Sequence, residues 1–198
     1  MIPNYHHPLS FREFSQLVEL KAATQSSTGL PNSERIAATK LNASRIRRIE
    51  KQTVVSEKIK KILASLEETW IWVVLTESWC GDGAQLLPII FRISEISDKI
   101  ELIVLLRDEN PEWIESHKTN GSHSIPKLVG FKKVGGVELG DWGPRPAQIQ
   151  DRLNAFKNEN PRLGHDEVSK FVQELYTADK GASFQEEFAG VLVQWKGR

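Results

Sequence analysis

Two nearly uninterrupted apolar runs, WIWVVLTE from Trp70 and KIELIVLLRD from Lys99, limit the possible folds more than any other feature of this chain. Each is rich in β-branched or aromatic residues and short enough for a strand covered on both faces. Between them GDGAQLLPIIFRISEIS, from Gly81, carries a helical pattern. Strand, helix and strand in that order predict a right-handed crossover and a parallel pair.

The pattern then changes sense. NPEWIESHKTNG, from Asn110, predicts a short helix, and PKLVGFKK and GVELGDW predict two strands joined at Val134-Gly135-Gly136. A Gly-Gly turn supplies the positive φ angles of a tight hairpin, so this second pair is antiparallel. GPRPAQIQDRLNAFKNEN opens with proline at a helix start. Two further helices, DEVSKFVQELYTADKG and ASFQEEFAGVLVQW, follow at the C-terminal end.

The first third is also helical. Ser10 and Glu13 have capping-box spacing, with Phe11, Phe14, Leu17 and Val18 on one face. TQSSTGLPNS (24–33) is a break, SERIAATKLNASRIRRIEKQ a second helix, and Ile59, Ile62, Leu63 and Leu66 mark a third. The expected division is a helical N-terminal extension packed on the core at 1–68, an α/β domain at 69–158 and a C-terminal helical extension at 159–198.

Charge excludes some function classes. Lys+Arg and Asp+Glu number 26 each, so no global field favours nucleic acid or an anionic membrane. The basic residues between Arg35 and Lys61 have no aromatic among them to stack a base, which fits a solvated helical face. The longest apolar run, Trp70–Leu75, is far below the roughly 20 residues that span a bilayer. With one cysteine and no signal-like start, the chain reads as cytoplasmic. His6-His7 reads as a polar tail, His117 and His123 as helix-end and loop residues, and no metal or other cofactor is expected.

That cysteine, Cys80, follows Trp79 and precedes Gly81-Asp82-Gly83, where the first strand gives way to a helix. A sulfur there faces unpaired backbone N–H groups and the positive end of the helix dipole, which favour thiolate over thiol. Asp82, one turn into the helix, works against that charge.

The element order and these residues resemble the thioredoxin superfamily, across roughly Trp70 to Asn158. Trp79-Cys80-Gly81 resembles its active-site tryptophan, nucleophile and glycine; Pro88, eight residues after Cys80, its helix-kinking proline; Ser124-Ile125-Pro126 its cis-proline loop. The motif is most similar to that of bacterial thioredoxin-like proteins with a helical N-terminal extension and an ESWCGD-type sequence. The resemblance implies a thioredoxin-like fold with extra helices at both termini. It also implies Cys80 as nucleophile, with Trp79, Gly81, Asp82, Gly83, Ile125, Pro126 and Trp142 as substrate-binding residues. Trp79 and the Asp141-Trp142-Gly143 turn would wall the groove, while Arg145 is expected in solvent.

Two departures bear on activity. Gly83 stands where a C-x-x-C motif has its second cysteine, and Val74 where the family has a buried acid. Two readings follow. In the first, Cys80 is a single-cysteine thiol-disulfide oxidoreductase acting on a peptide or protein thiol or disulfide, with an external thiol such as glutathione completing the cycle. In the second, the chain is redox-inactive and holds a peptide or protein partner in the cis-proline groove.

Overall fold

Strand β1 (Trp70–Thr76) is buried along its whole length and anchors a four-stranded sheet. In this computed structural model, which describes residues 2 and 4–198, the strand order is β2-β1-β3-β4, with β2 at Ile100–Leu106, β3 at Lys127–Lys132 and β4 at Glu138–Trp142. β1 and β2 are parallel, with Trp70 opposite Ile100 and Thr76 opposite Leu106. β3 runs antiparallel to both β1 and β4, and Gly135 and Gly136 take positive φ in the connecting turn. The mixed sheet is the α/β arrangement that the two apolar runs and the Gly-Gly turn predict.

Alternation along β1 sorts its side chains between two cores. Trp70, Trp72 and Val74 enter the larger core, whereas Ile71, Val73 and Leu75 enter a smaller one with Trp113, Ile114 and Phe131. The smaller core is covered by α5 (Pro111–Ser116) and the N-terminal segment, where Trp113 Nε1 donates to the Asn4 carbonyl at 2.7 Å. The larger core takes the other helices. They are α1 (Phe11–Ala23), α2 (Ser33–Gln52), α3 (Glu57–Ala64), α4 (Gly81–Ser94), α6 (Ala147–Glu159), α7 (His165–Asp179) and α8 (Ala182–Lys196).

Local chemistry fixes the starts of the first three helices. Ser10 and Glu13 form the expected capping box on α1, Asn32 caps α2 through the Arg35 amide at 2.8 Å, and Ser56 caps α3. α1 packs on α2 and α2 on α4, so the N-terminal helices reach the helix that Cys80 begins.

At the other end of the sheet, α8 completes the core. Its Phe184, Phe188, Leu192 and Trp195 are fully buried, a stripe at helical spacing. Phe188 meets Trp72 edge-on at 5.3 Å, and Trp195 meets Trp70 at 6.3 Å. Gly130 and Gly140, opposite each other on β3 and β4, open a slot for the Trp195 indole. A Cβ on Gly140 would lie 2.9 Å from Trp195 Nε1, and one on Gly130 would press on the six-membered ring. Glycine in paired strands normally weakens a sheet, and here its missing side chain is the space the indole occupies.

Candidate functional site

Cys80 is the N-cap of α4, with its own backbone extended. Its Sγ accepts the Gly83 N–H at 3.2 Å, so the sulfur fills the role of a capping oxygen. Its S–H points the other way and donates to the Ile125 carbonyl at 3.4 Å. The Ile125–Pro126 peptide is cis, as is Gly143–Pro144.

These contacts bury the sulfur. Cys80 is 6% exposed and packs in the smaller core with Ile125. The sequence leads one to expect a thiolate open to solvent at the helix mouth, and the structure corrects this. Burial first, and the Asp82 charge second, push the thiol up to about 12. The Gly83 N–H, the Thr76 hydroxyl and Arg145 oppose the rise without reversing it. The helix start does stabilise negative charge, but desolvation outweighs it.

The position of the missing second thiol is also closed. A Cβ at Gly83 would run into Thr76 Oγ1 and lie 3.4 Å from Cys80 Cβ and Sγ. Thr76 ends β1 fully buried, so its hydroxyl occupies the space a second cysteine would need.

Asp82 is not a solvated first-turn carboxylate. Arg145 grips it with both arms of its fork, Nη2 to Oδ2 at 2.6 Å and Nε to Oδ1 at 2.9 Å. Tyr176, on α7, donates its hydroxyl to the same Oδ1 at 2.9 Å. Burial, then the Asp82 charge, hold the Tyr176 phenol well above its usual range, so it stays a donor. Arg145 is therefore part of the site wall, not the solvent-facing residue expected. Gln173 adds a second tie, accepting from Gln85 Nε2 at 2.7 Å. These bonds fasten α7 across the start of α4.

On the other side, the break at 24–33 acts as a clamp. The Thr28 N–H donates to Ser78 Oγ and the Ser78 N–H to Thr28 Oγ1, both at 2.9 Å, while Asn42 Nδ2 reaches the Ser78 carbonyl at 2.8 Å. Glu77 points into this clamp, accepting from the Thr28 hydroxyl and from the Asp108 N–H at 2.9 Å. Burial raises its carboxyl above the usual range. These are loop-holding interactions that satisfy buried polar groups.

Two guanidinium groups lie against the Trp79 ring, Arg35 at 4.4 Å and Arg107 at 5.0 Å from its centroid. It borders a cleft of about 630 Å³ between α2 and α7, floored by Cys80, Gly81, Asp82 and Ile125. Gly83 and Pro126 are buried behind that floor. Trp142 is elsewhere. It packs on Phe184 at 4.7 Å and donates through Nε1 to Glu187 at 2.6 Å, so it belongs to the α8 core and forms no groove wall.

Three histidines stand outside this cleft, His7 paired with Glu109 at 3.0 Å, His123 with Glu115 at 2.7 Å, and His117 buried against the Trp113 carbonyl, whereas His165 at the start of α7 lines it. Among the described residues no group of three or more His, Cys, Asp or Glu is arranged to hold a metal, and no helix is long and apolar enough to cross a membrane. Thr76, Arg145, Gln173 and Tyr176 carry much of the site geometry and were not singled out for it in the sequence. Their partners lie tens of residues away, so no local pattern announces them.

No curated protein matches this chain. Among solved structures, an HIV epitope-scaffold of 4E10 designation is similar over 96% of this chain and 99% of its own, with 15% identity and a TM-score of 0.55. A protein of unknown function from Pseudomonas aeruginosa matches over 88% of this chain and 99% of its own, at 17% identity and a TM-score of 0.49. At such identities the first likeness speaks to fold alone. A family model described as thioredoxin matches residues 29–157, beginning inside the helical segment that precedes the sheet. With the strand order, the capping Cys80 and the Ile125-Pro126 loop beside it, that match across well over half of the sequence makes this chain a member of the thioredoxin family.

Proposed function

We propose that the chain is a thioredoxin-fold binding module that holds a peptide or protein segment in the cleft beside Cys80, with the thiol protonated and not turning over. The observation that carries this reading is the buried sulfur, only 6% of its residue being exposed at the cleft floor. A group pushed up to about 12 is almost wholly S–H at neutral pH, and the thiolate is the attacking species in disulfide exchange. The closed position at Gly83 supports the same reading, because no resolving sulfur could be accommodated without moving Thr76. The cleft volume, about 630 Å³, lies in the range typical of ligand sites.

One observation favours the single-cysteine redox reading as a second choice. Cys80 Sγ sits at the helix N-cap and accepts the Gly83 N–H, the contact that would stabilise a thiolate if α7 released Asp82. Disulfide exchange would then form a bond between Sγ and a substrate sulfur, expelling the second substrate sulfur as a thiolate. An external thiol would reduce the mixed disulfide.

Incubation with glutathione disulfide at pH 7.5, followed by intact mass, separates the two. The binding reading expects no adduct over hours and peptide affinities unchanged within about twofold in Cys80→Ser. Quantitative adduct within minutes, or loss of peptide binding in Cys80→Ser, overturns it in favour of the redox reading.

A further inference from the structure

The charges around the cleft bear on what it holds. On the α2 wall the residues facing it, Arg35, Ala38, Leu41 and Arg45, recur at helical spacing. On the opposite wall stand Val168 and Val172 of α7, with Leu153 and Lys157 of α6 at one end. Apolar surface thus lies between cationic ends.

Arg45 is the residue whose pairing is incomplete. It is half-buried, and its Nη1 donates to Asn42 Oδ1 at 3.0 Å. Among the described residues no carboxylate comes within 4.0 Å of its guanidinium. Asn42 in turn holds the Ser78 carbonyl, so Arg45 is fixed relative to the Cys80 loop. Burial, with Arg48 nearby, lowers its affinity for its proton, the mark of a cation short of counter-charge. Lys157 is exposed and enters no ion pair among the described residues. Arg35 is shared between the Trp79 face and Asp108 at 3.9 Å. Of the two acids on the cleft, Asp82 is consumed by Arg145 and Tyr176, leaving Glu34 against three cations.

We infer that the cleft takes a short acidic peptide segment, an Asp or Glu carboxylate pairing with Arg45 while a neighbouring apolar side chain lies over Leu41 and Val172. A guanidinium with unused donors matches a carboxylate in geometry and charge. The α2 stripe from Glu34 to Arg45 is about 16 Å long at the helical rise, room for about five residues of extended chain. The inference rests on the binding reading above and names the chemistry of its occupant.

The test is an array of N-acetylated heptapeptides. Each position of an Ala-Leu background is changed in turn to Asp, Glu, Asn, Gln or Lys, and the full chain is the probe. The best peptides are then titrated in solution, with the Trp79 and Gly81 amide resonances reporting the site. Acidic peptides are expected to bind about tenfold more tightly than their amide counterparts. Arg45→Gln should erase that preference, and Lys157→Gln, at an exposed site that cannot threaten folding, should halve it or more. Peptides that shift Trp79 and Gly81 with no acidic preference, or a preference untouched in both variants, overturn the inference and leave the binding reading standing. Failure of every peptide to bind at millimolar concentration overturns both.

Discussion

The helices outside the sheet's immediate framework meet it in two different ways. At the β3-β4 hairpin, α8 inserts Trp195 into the slot left by Gly130 and Gly140, beside the enclosed Phe184, Phe188 and Leu192. At the C-terminal end of β1, α2 and α7 meet the Cys80 loop through polar bonds, Asn42 to Ser78 and Tyr176 to Asp82, and Arg145 from the loop before α6 adds an ion pair to Asp82. The first contact leaves no space, whereas the second leaves a cleft with an unmatched Arg45. Enclosed apolar packing stabilises and fixes a structure, while polar bonds around a cavity hold side chains in place and keep the cavity open.

Removing the indole is expected to give the largest effect. Trp195→Ala should cost about 3–5 kcal/mol, the usual range for a large aromatic in a packed core. Trp79→Ala, in the site and half-exposed beside two arginines, should cost under about 1.5 kcal/mol. Urea unfolding of the two variants measures the contrast directly, and equal losses would erase the distinction between the two regions.

The next effect probes how tightly the Cys80 loop itself is packed. Gly83→Ala should gain up to about 1 kcal/mol of helix propensity, yet it places a methyl group on Thr76 Oγ1. A net loss of about 1–3 kcal/mol is expected from the overpacking. Thr76→Ala in the same chain should recover part of it, and the double-mutant cycle reports the coupling. Purely additive losses would mean that Thr76 does not fill the second-sulfur position.

Much of this fold was legible in the sequence because it depends on local patterns. The apolar run Trp70–Thr76, the Gly135-Gly136 turn and the Ser10–Glu13 box each act over a few residues. The site was legible only in part. Trp79, Cys80, Gly81 and Asp82 converge because sequence neighbours at one turn must, while Ile125 is brought to them by the fold from 45 residues away. Trp142 went elsewhere because its ring meets Phe184 and Phe188 edge-on, more than forty residues later, and nothing in the GDWG turn encodes that. The Phe184, Phe188, Leu192 and Trp195 stripe was the available signal, for it announces a helix seeking an aromatic partner. The expected thiolate failed for a different reason. Helix position is readable from sequence, but burial, which dominates here, is set by Ile125 and by the helices that close over the loop.

Alkaline titration gives a third test. Burial pushes the folded thiol up to about 12, above its ordinary value of 9.0, so Cys80 favours folding below that ordinary value. That contribution is lost as pH rises from about 9 toward 12, at up to about 1.4 kcal/mol per pH unit, because the unfolded chain releases a proton that the folded one keeps. Stability of the wild type should therefore fall faster above pH 9 than that of Cys80→Ser. Tyr176 is also held high, and because the Cys80 charge is the smallest of its causes, most of its effect is common to both proteins. Parallel profiles would mean an accessible, ordinary thiol.

The last expected effect concerns Asp82, where the polar contacts around the Cys80 loop can be loosened without removing a ring or adding a methyl group. Its charge is the second contribution raising the Cys80 thiol, after burial. Asp82→Asn keeps the shape and one acceptor for Tyr176 but leaves Arg145 without its counter-ion. Both changes favour the thiolate: a repelling charge disappears, and a cation is freed near the sulfur. Iodoacetamide should label Asp82→Asn several-fold faster than wild type at pH 8.5, with an apparent thiol value moved downward. Loss of the ion pair should also cost about 1–3 kcal/mol, because a partly buried guanidinium is left unpaired. Labelling must therefore be measured well below the unfolding midpoint, with the rate independent of added stabilising salt. A rate unchanged from wild type would assign the raised value to burial alone and leave α7, not Asp82, as what keeps the sulfur protonated.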